Sequence, residues 1–388
     1  FTGAGAIFFL YLIAVKLLGL NRDNQKLQIS IHIPAIACSF AFTFSSTHWG
    51  QAVGGEVYSL NVFLVSFLLY IMILWYEEMI YFRSEEKIHY ADRLTIFLGF
   101  VMGLSLTNHQ LPVWYIVAYA LILLPTTIFI VVADRPKKFT DEFKSRIPLF
   151  LLFFFVVLVA LYLFMKFAYF NRLLFPKDVP YVLTAIFIIP TFTTVYTIIT
   201  KFMKFKENWV DRFFEMFSYS FWLLIFAMTL YLYLLIRARA VAPLPDPKPL
   251  SWGDTQTLDI LFNHMLRKQY GLGGGGDLNN FTGQFIAVMG FCVEQMHWIN
   301  FIIAIIGLIY MFFREKIWLI YTIFAMLLLD VALIKFINFE LDKRTLAFQE
   351  VFFIQQFLVI AIYLGYGYQF IIDLTNRLKL KLVMNKEA

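Results

Sequence analysis

Eleven apolar runs, at residues 4–20, 31–45, 57–76, 94–107, 111–133, 147–168, 180–200, 213–236, 298–313, 317–337 and 351–373, leave this chain few ways to fold. Most approach the roughly 20 residues that a helix needs to cross a bilayer core. None alternates with the period of two that a barrel strand would show. With 61% hydrophobic and 15% charged residues and a mean hydropathy of +0.73, a water-soluble globule is excluded. The expectation is an all-α polytopic membrane protein of about eleven transmembrane helices. The runs at 31–45 and 94–107 are short for the hydrocarbon, so a tilted, buried or re-entrant helix is the alternative there.

Basic residues orient the spans. If the first runs outward to inward, Lys16, Arg22, Lys26, Arg83, Lys87, Arg93 and the cluster Arg135, Lys137, Lys138, Lys144 and Arg146 fall inside. So do Lys201, Lys204, Lys206, Arg212, Arg314, Lys316 and the C-terminal group from Arg377 to Lys386. Together they make about two-thirds of the 32 Lys and Arg, which places the C-terminus in the cytoplasm. The net charge of +6 then reflects topology and calls for no nucleic-acid partner. The expected organisation is a transmembrane domain over 1–378, with a long outer loop at 237–298, and a cytoplasmic tail at 379–388. Within the loop, Leu258, Leu261, Phe262, Met265 and Leu266 recur at helical spacing after Asp254, which predicts a surface helix, and N-capping that helix is the bland alternative to a catalytic role for Asp254.

This orientation gathers the unusual residues outside: segment 46–61, the Asn108-His109-Gln110 break, and the loop. Segment 46–61 sets His48, Trp49, Glu56 and Tyr58 between two apolar runs, and a carboxylate held beside the membrane is usually there for a function. Cys38 and Cys292 form no disulfide framework, and the histidines at 32, 48, 89, 109, 264 and 297 show no metal-ligand spacing, so no metal site is expected. The Gly273–Gly276 run lacks the Lys-Ser/Thr of a phosphate loop and reads as a hinge. Asn280-Phe281-Thr282 is a glycosylation sequon, relevant only in a eukaryotic host.

Four ordered motifs carry a family resemblance. His48-Trp49-x-x-Ala52-Val53-x-x-Glu56-Val57-Tyr58-x-Leu60 resembles the signature of a large bacterial family of multispanning proteins. That family is related to the eukaryotic transmembrane O-mannosyltransferase of plexin-type and receptor-tyrosine-kinase ectodomains. Gly103-Leu104-Ser105-Leu106-Thr107-Asn108-His109 is similar to its Gly-Leu-Ser-x-x-Asn-His break. Tyr231-Leu232-Tyr233-Leu234-x-Ile236-Arg237-Ala238, Trp252-Gly253-Asp254-x-x-Thr257-Leu258 and His264-x-x-Arg267-x-x-Tyr270-Gly271 are similar to its outer loop. Glu350-Val351-Phe352-Phe353 resembles the start of its last span.

Membership implies a GT-C-like helical bundle whose active site opens to the periplasm or lumen and uses a polyprenyl-phosphate-linked sugar as donor substrate. It also implies an acidic motif in a first outer loop that precedes Phe1, so the catalytic acid is not among these residues and Glu56 is its supporting candidate. The implied reaction is transfer of a sugar, mannose first among them, to Ser/Thr of a secreted or membrane protein. The implied setting is an integral membrane protein of the bacterial inner membrane, with the endoplasmic reticulum as alternative, in contact with lipid and open to a larger membrane complex.

Such transfer needs a carboxylate to take the acceptor's proton and cations to steady the leaving phosphate. Glu56 or Asp254 suits the first task. Arg237, Arg267 and Lys268 suit the second, since a guanidinium meets two phosphate oxygens at once. Trp49, Trp252 and Tyr270 offer stacking surfaces for sugar or lipid, and His48, Tyr58, Asn108 and His109 complete the candidate binding set. Blander readings compete: aromatic belt for Trp49 and Tyr58, helix capping for Asn108 and His109, and snorkelling for Arg237. Two other functions compete as well. A transporter would place its polar groups at the midplane of broken helices in related halves, whereas here they gather at one face without an internal repeat. A non-catalytic scaffold subunit is the closer rival.

Overall fold

Each apolar run becomes helical, because in hydrocarbon a backbone N–H finds its partner only within its own helix. The computed structural model describes residues 1–20, 29–80, 85–133, 136–170, 179–204, 208–244, 252–265 and 280–387. The helices are α1 (Thr2–Gly19), α2 (Ile29–Thr43), α3 (Ser46–Gly54), α4 (Val57–Ile80), α5 (Glu85–Asn108), α6 (Val113–Ala118), α7 (Leu124–Ala133), α8 (Pro136–Phe170) and α9 (Val179–Phe202). After them come α10 (Trp209–Met228), α11 (Leu232–Val241), α12 (Leu258–Met265), α13 (Phe281–Met296), α14 (Trp298–Arg314), α15 (Lys316–Ile337), α16 (Lys343–Gln349) and α17 (Ile354–Glu387).

Among the described residues no strand occurs, and six helices are long and apolar enough to cross a membrane. The pair α13 and α14, bent by 108° at His297, makes a seventh if taken as one span. The run at 31–45 forms the shorter α2, and the run at 94–107 ends the 24-residue α5. The fold class is that of an all-α polytopic membrane protein.

The chain divides into two compact units. The first comprises Phe1–Glu77, Asn108–Thr127 and Gly273–Ala388. Its centre is α17, which packs on α14, α2 and α1. Lipid is as apolar as this interior, so close packing rather than burial has to hold the helices together. Glycine provides it: a Cβ on Gly307 would lie 1.8 Å from Tyr363 O, and one on Gly367 would lie 2.1 Å from Ile303 O. Leu10, Ile13 and Leu17 of α1 and Phe353, Phe357 and Leu358 of the α17 region are fully enclosed. Lys16 closes one end on Glu77 (2.7 Å).

The outer loop read from sequence holds a helix that the hydropathy pattern does not single out. In α13, Val288, Phe291, Cys292, Gln295 and Met296 are buried, and the helix packs on α14, α15 and α17.

The second unit comprises Glu78–Thr107 and Ile128–Leu272. Here α8, α9 and α10 pack through the rings of Phe150, Phe192, Tyr196 and Phe214, whose centroids lie 5.0–6.4 Å apart. Arg146 forks onto Asp211 (Nε–Oδ1 3.0 Å, Nη2–Oδ2 2.6 Å), and Tyr196 donates to the same carboxylate. Asp211 also closes a capping box with Asn208 at the start of α10. Arg212 pairs with Asp92, and Lys201 with Glu215. Gly99 and Gly103 let α5 approach α10, where their Cβ atoms would lie 1.9 Å from Ser220 O and 2.3 Å from Leu224 O.

Candidate functional site

The polar segment 46–61 is built as a short helix, a tight turn and the start of a long helix. Ser45 is extended and precedes α3, which stops at Gly55 in the left-handed region (φ 67°, ψ 22°). That backbone suits glycine, the usual residue at such a helix end. Glu56 follows with its side chain exposed, and α4 begins at Val57.

The two faces of α3 do different work. His48 is 1% exposed and lies 4.4 Å from the Phe42 ring, on the side of α3 that faces Gly3. Burial pulls its imidazole down to about 4, with the Gly3 backbone opposing the shift. Trp49 is exposed and stacks on Phe44 at 6.3 Å. At the first turn, Thr47 N–H donates to Gln295 Oε1 (3.0 Å) and Gln295 Nε2 donates to Ser46 Oγ (2.9 Å). Gln295 also donates to Glu350 Oε1.

Three motifs far apart in sequence meet at the start of α4. Tyr58 lies 5.4 Å from His109 and meets Phe352 edge-on at 5.5 Å. Asn108 Nδ2 donates to Val57 O (3.2 Å), while His109 Nδ1 accepts from Leu111 N–H (3.2 Å). The structure therefore gathers Tyr58, Asn108 and His109. His48 instead packs toward α1, and the Glu56 carbonyl accepts from Ser59 Oγ (3.2 Å).

The second unit holds the other candidates. Arg237 is exposed on α11, and its neighbour Arg239 donates from Nε to Gln256 O (2.8 Å). Trp252, Gly253 and Asp254 form a single 3₁₀ turn in which Asp254 has a positive φ of 44°. Asp254 Oδ1 accepts from Gln256 Nε2 (2.8 Å). The expected surface helix exists as α12, but its first turn is capped by Thr257, whose Oγ1 accepts from Ile260 N–H (3.3 Å), and not by Asp254. Arg267, Lys268, Tyr270 and the Gly273–Gly276 run lie outside the described residues. Tyr231, from the quoted outer-loop run, donates to Leu106 O in the Gly103–His109 run (2.8 Å).

Sequence reasoning passed over several polar residues in the first unit. Gln295, which meets Glu350 of the quoted Glu350–Phe353 run, is one case. Asp330 is another: it sits 1% exposed in α15, its Oδ1 has no partner among the described residues, and it lies within electrostatic reach of Tyr115 and Cys292. Cys292 in turn donates to Gln356 Oε1 (3.6 Å), and the adjacent Gln355 is fully enclosed. The sign was visible, since Asp330 is the single acidic residue in the run at 317–337. Both cysteines are free and buried. Among the described residues no group of three His, Cys, Asp or Glu side chains could hold a metal ion.

The amide of Asn108, the phenol of Tyr58 and the imidazole of His109 converge in the first unit, a set suited to hydroxyl groups, which both donate and accept. No curated protein and no solved structure matches the chain. Residues 1–128 of the 388, which hold α1 to α6 and the Asn108-His109 break, match the family model of the protein O-mannosyl-transferase TMEM260 N-terminal domain.

Proposed function

We propose that this chain serves a membrane glycosyltransferase that moves a sugar, mannose as the first choice, from a polyprenyl-phosphate donor to Ser/Thr of a protein on the periplasmic or lumenal face. The observation that carries the reading is the match of residues 1–128 to an O-mannosyltransferase domain. The meeting of Tyr58, Asn108 and His109 supports it.

In the reaction the acceptor oxygen attacks the anomeric carbon while the carbon–oxygen bond to phosphate breaks. The acceptor's proton passes to a carboxylate. Glu56, exposed next to the converging groups, is the supporting carboxylate. A fixed positive charge has to offset the charge that develops on the departing phosphate, and Arg237 is the candidate for that role. Tyr58 and Trp49 offer ring faces to the sugar or the lipid, and Asn108 and His109 shape the wall beside them.

The test is a reconstitution of the full-length protein in vesicles with polyprenyl-phosphate mannose and a Ser/Thr-containing acceptor, reading sugar transferred per minute. Wild type is expected to transfer. Glu56→Gln and Arg237→Ala are expected to lose about ten- to a thousandfold in rate, the range for a proton-transfer group or a charge-stabilising donor. Folded wild-type protein that transfers no polyprenyl-phosphate sugar would overturn the reading in favour of a scaffold.

A further inference from the structure

Helix α3 lacks the local cap that a helix start normally needs. The first backbone N–H groups of any helix have no partner within it, and the residue before it usually supplies an oxygen. Ser45 holds that position, yet its side chain makes no capping bond and its Oγ is buried without a partner. The acceptor comes from 248 residues away: Gln295 Oε1 takes the Thr47 N–H at 3.0 Å and lies 3.3 Å from Ser46 Oγ.

Gln295 is itself held. It is 3% exposed near the end of α13, and its Nε2 donates both to Ser46 Oγ and to Glu350 Oε1. Glu350 opens the 3₁₀ turn Glu350–Phe353, whose Phe352 touches Tyr58. The same turn therefore grips both ends of segment 46–58, one end by hydrogen bonds through Gln295 and the other by ring contact.

We propose that Gln295 and Glu350 are positioning residues that fix where segment 46–61 presents Trp49, Glu56 and Tyr58. The catalytic use of that positioning rests on the sugar-transfer reading above; the positioning itself does not.

The test exploits the direction of each bond. Glu350 only accepts, so the amide of Gln295 has to donate to it and accept from Thr47. Gln295→Glu places two carboxylates together and removes the donor. Glu350→Gln keeps an acceptor oxygen. In the double variant the amide at 350 donates to the carboxylate at 295, which still accepts from Thr47, and the chain is restored with its charge moved by one link.

Maleimide labelling of a Val53→Cys reporter reads the position of α3. Val53 is 74% exposed, and both native cysteines are buried. Leu341→Cys, at a 45% exposed position in the same unit, is the control. Gln295→Glu is expected to change the Val53→Cys labelling rate about tenfold, the ratio for a charge-assisted bond worth about 1.4 kcal/mol, without changing that of Leu341→Cys. Glu350→Gln should move it much less, and the double variant should return it to near the parent rate. Transfer kinetics should show kcat/KM for the donor falling in the same order and recovering in the double variant, since Trp49, Glu56 and Tyr58 move with the segment.

An unchanged Val53→Cys rate in Gln295→Glu would overturn the proposal. So would an equal change at Leu341→Cys, or a double variant no better than the single. If labelling behaves as expected while wild type transfers no sugar, the positioning stands and the reaction assigned above fails.

Discussion

The two units differ in the polar groups that link their helices. In the second, full charges are paired: Arg146 with Asp211, Arg212 with Asp92, Lys201 with Glu215. In the first, ion pairs also occur, Lys16 with Glu77 and Arg314 with Asp373, but amides join the segments around the candidate site, as Gln295 does between Ser46, Thr47 and Glu350, and Gln284 reaches the carbonyl of Phe339. An ion pair fixes two helices strongly but costs much to desolvate, whereas an amide donates and accepts at once and can link three elements in the interior at lower cost. The unit with the amide links also carries the converging site residues, while the matched stretch 1–128 runs through both units. The paired charges belong to a frame, and the amides to a part whose fine position matters.

The sharpest way to break this comparison is to remove Arg146. Its side chain is 13% exposed and that of Asp211 9%, so Arg146→Ala leaves a carboxylate buried and unpaired. The expected loss is about 3–5 kcal/mol, read as a shift of the midpoint of denaturant unfolding in detergent. A loss near zero would show that the frame does not depend on the pair.

The first unit should respond most to packing. Gly307→Ala sets a methyl group against the Tyr363 carbonyl and should cost about 1–3 kcal/mol by the same measurement. Wild-type stability would mean that α14 and α17 can separate freely.

A smaller effect is expected from pH. The His48 imidazole sits near 4 when folded and near 6.5 when unfolded, so the unfolded chain binds the extra proton between those values. Folding stability is therefore fully present above about 6.5 and declines as pH falls toward 4. His48→Phe should flatten that slope, and an unaltered slope would place the sensitivity elsewhere. Least of all should follow from Lys201→Ala, since the lysine is 55% exposed and exposed pairs contribute about 0–1 kcal/mol.

Much of the site could be read from the sequence because the motifs are local. The Asn108-His109 break and the Glu56-Val57-Tyr58 run announce themselves as polar groups beside apolar ones, and the fold brings Asn108 to Val57 and His109 to Tyr58. Other parts were illegible for physical reasons. Gln284 and Gln295 lower the hydropathy of α13, so a helix that packs among its neighbours reads like part of a loop. Asp254 and Thr257 both precede α12 and both can cap; only the backbone, with Asp254 at φ 44°, shows that the bond falls to Thr257. Glu350 stood inside a quoted motif, but nothing near it in sequence says that Gln295 will meet it.

Hydropathy is a sum over neighbours along the chain, so the sequence by itself determined that this protein is helical, that its helices are of membrane-crossing character, and which segments hold its unusual polar residues. Which polar groups meet is decided by close approaches between segments far apart in sequence, such as Gly307 beneath Tyr363 or Gln295 beside Thr47. Only the tertiary structure supplied these, because each depends on the packing of two helices and not on the propensity of either.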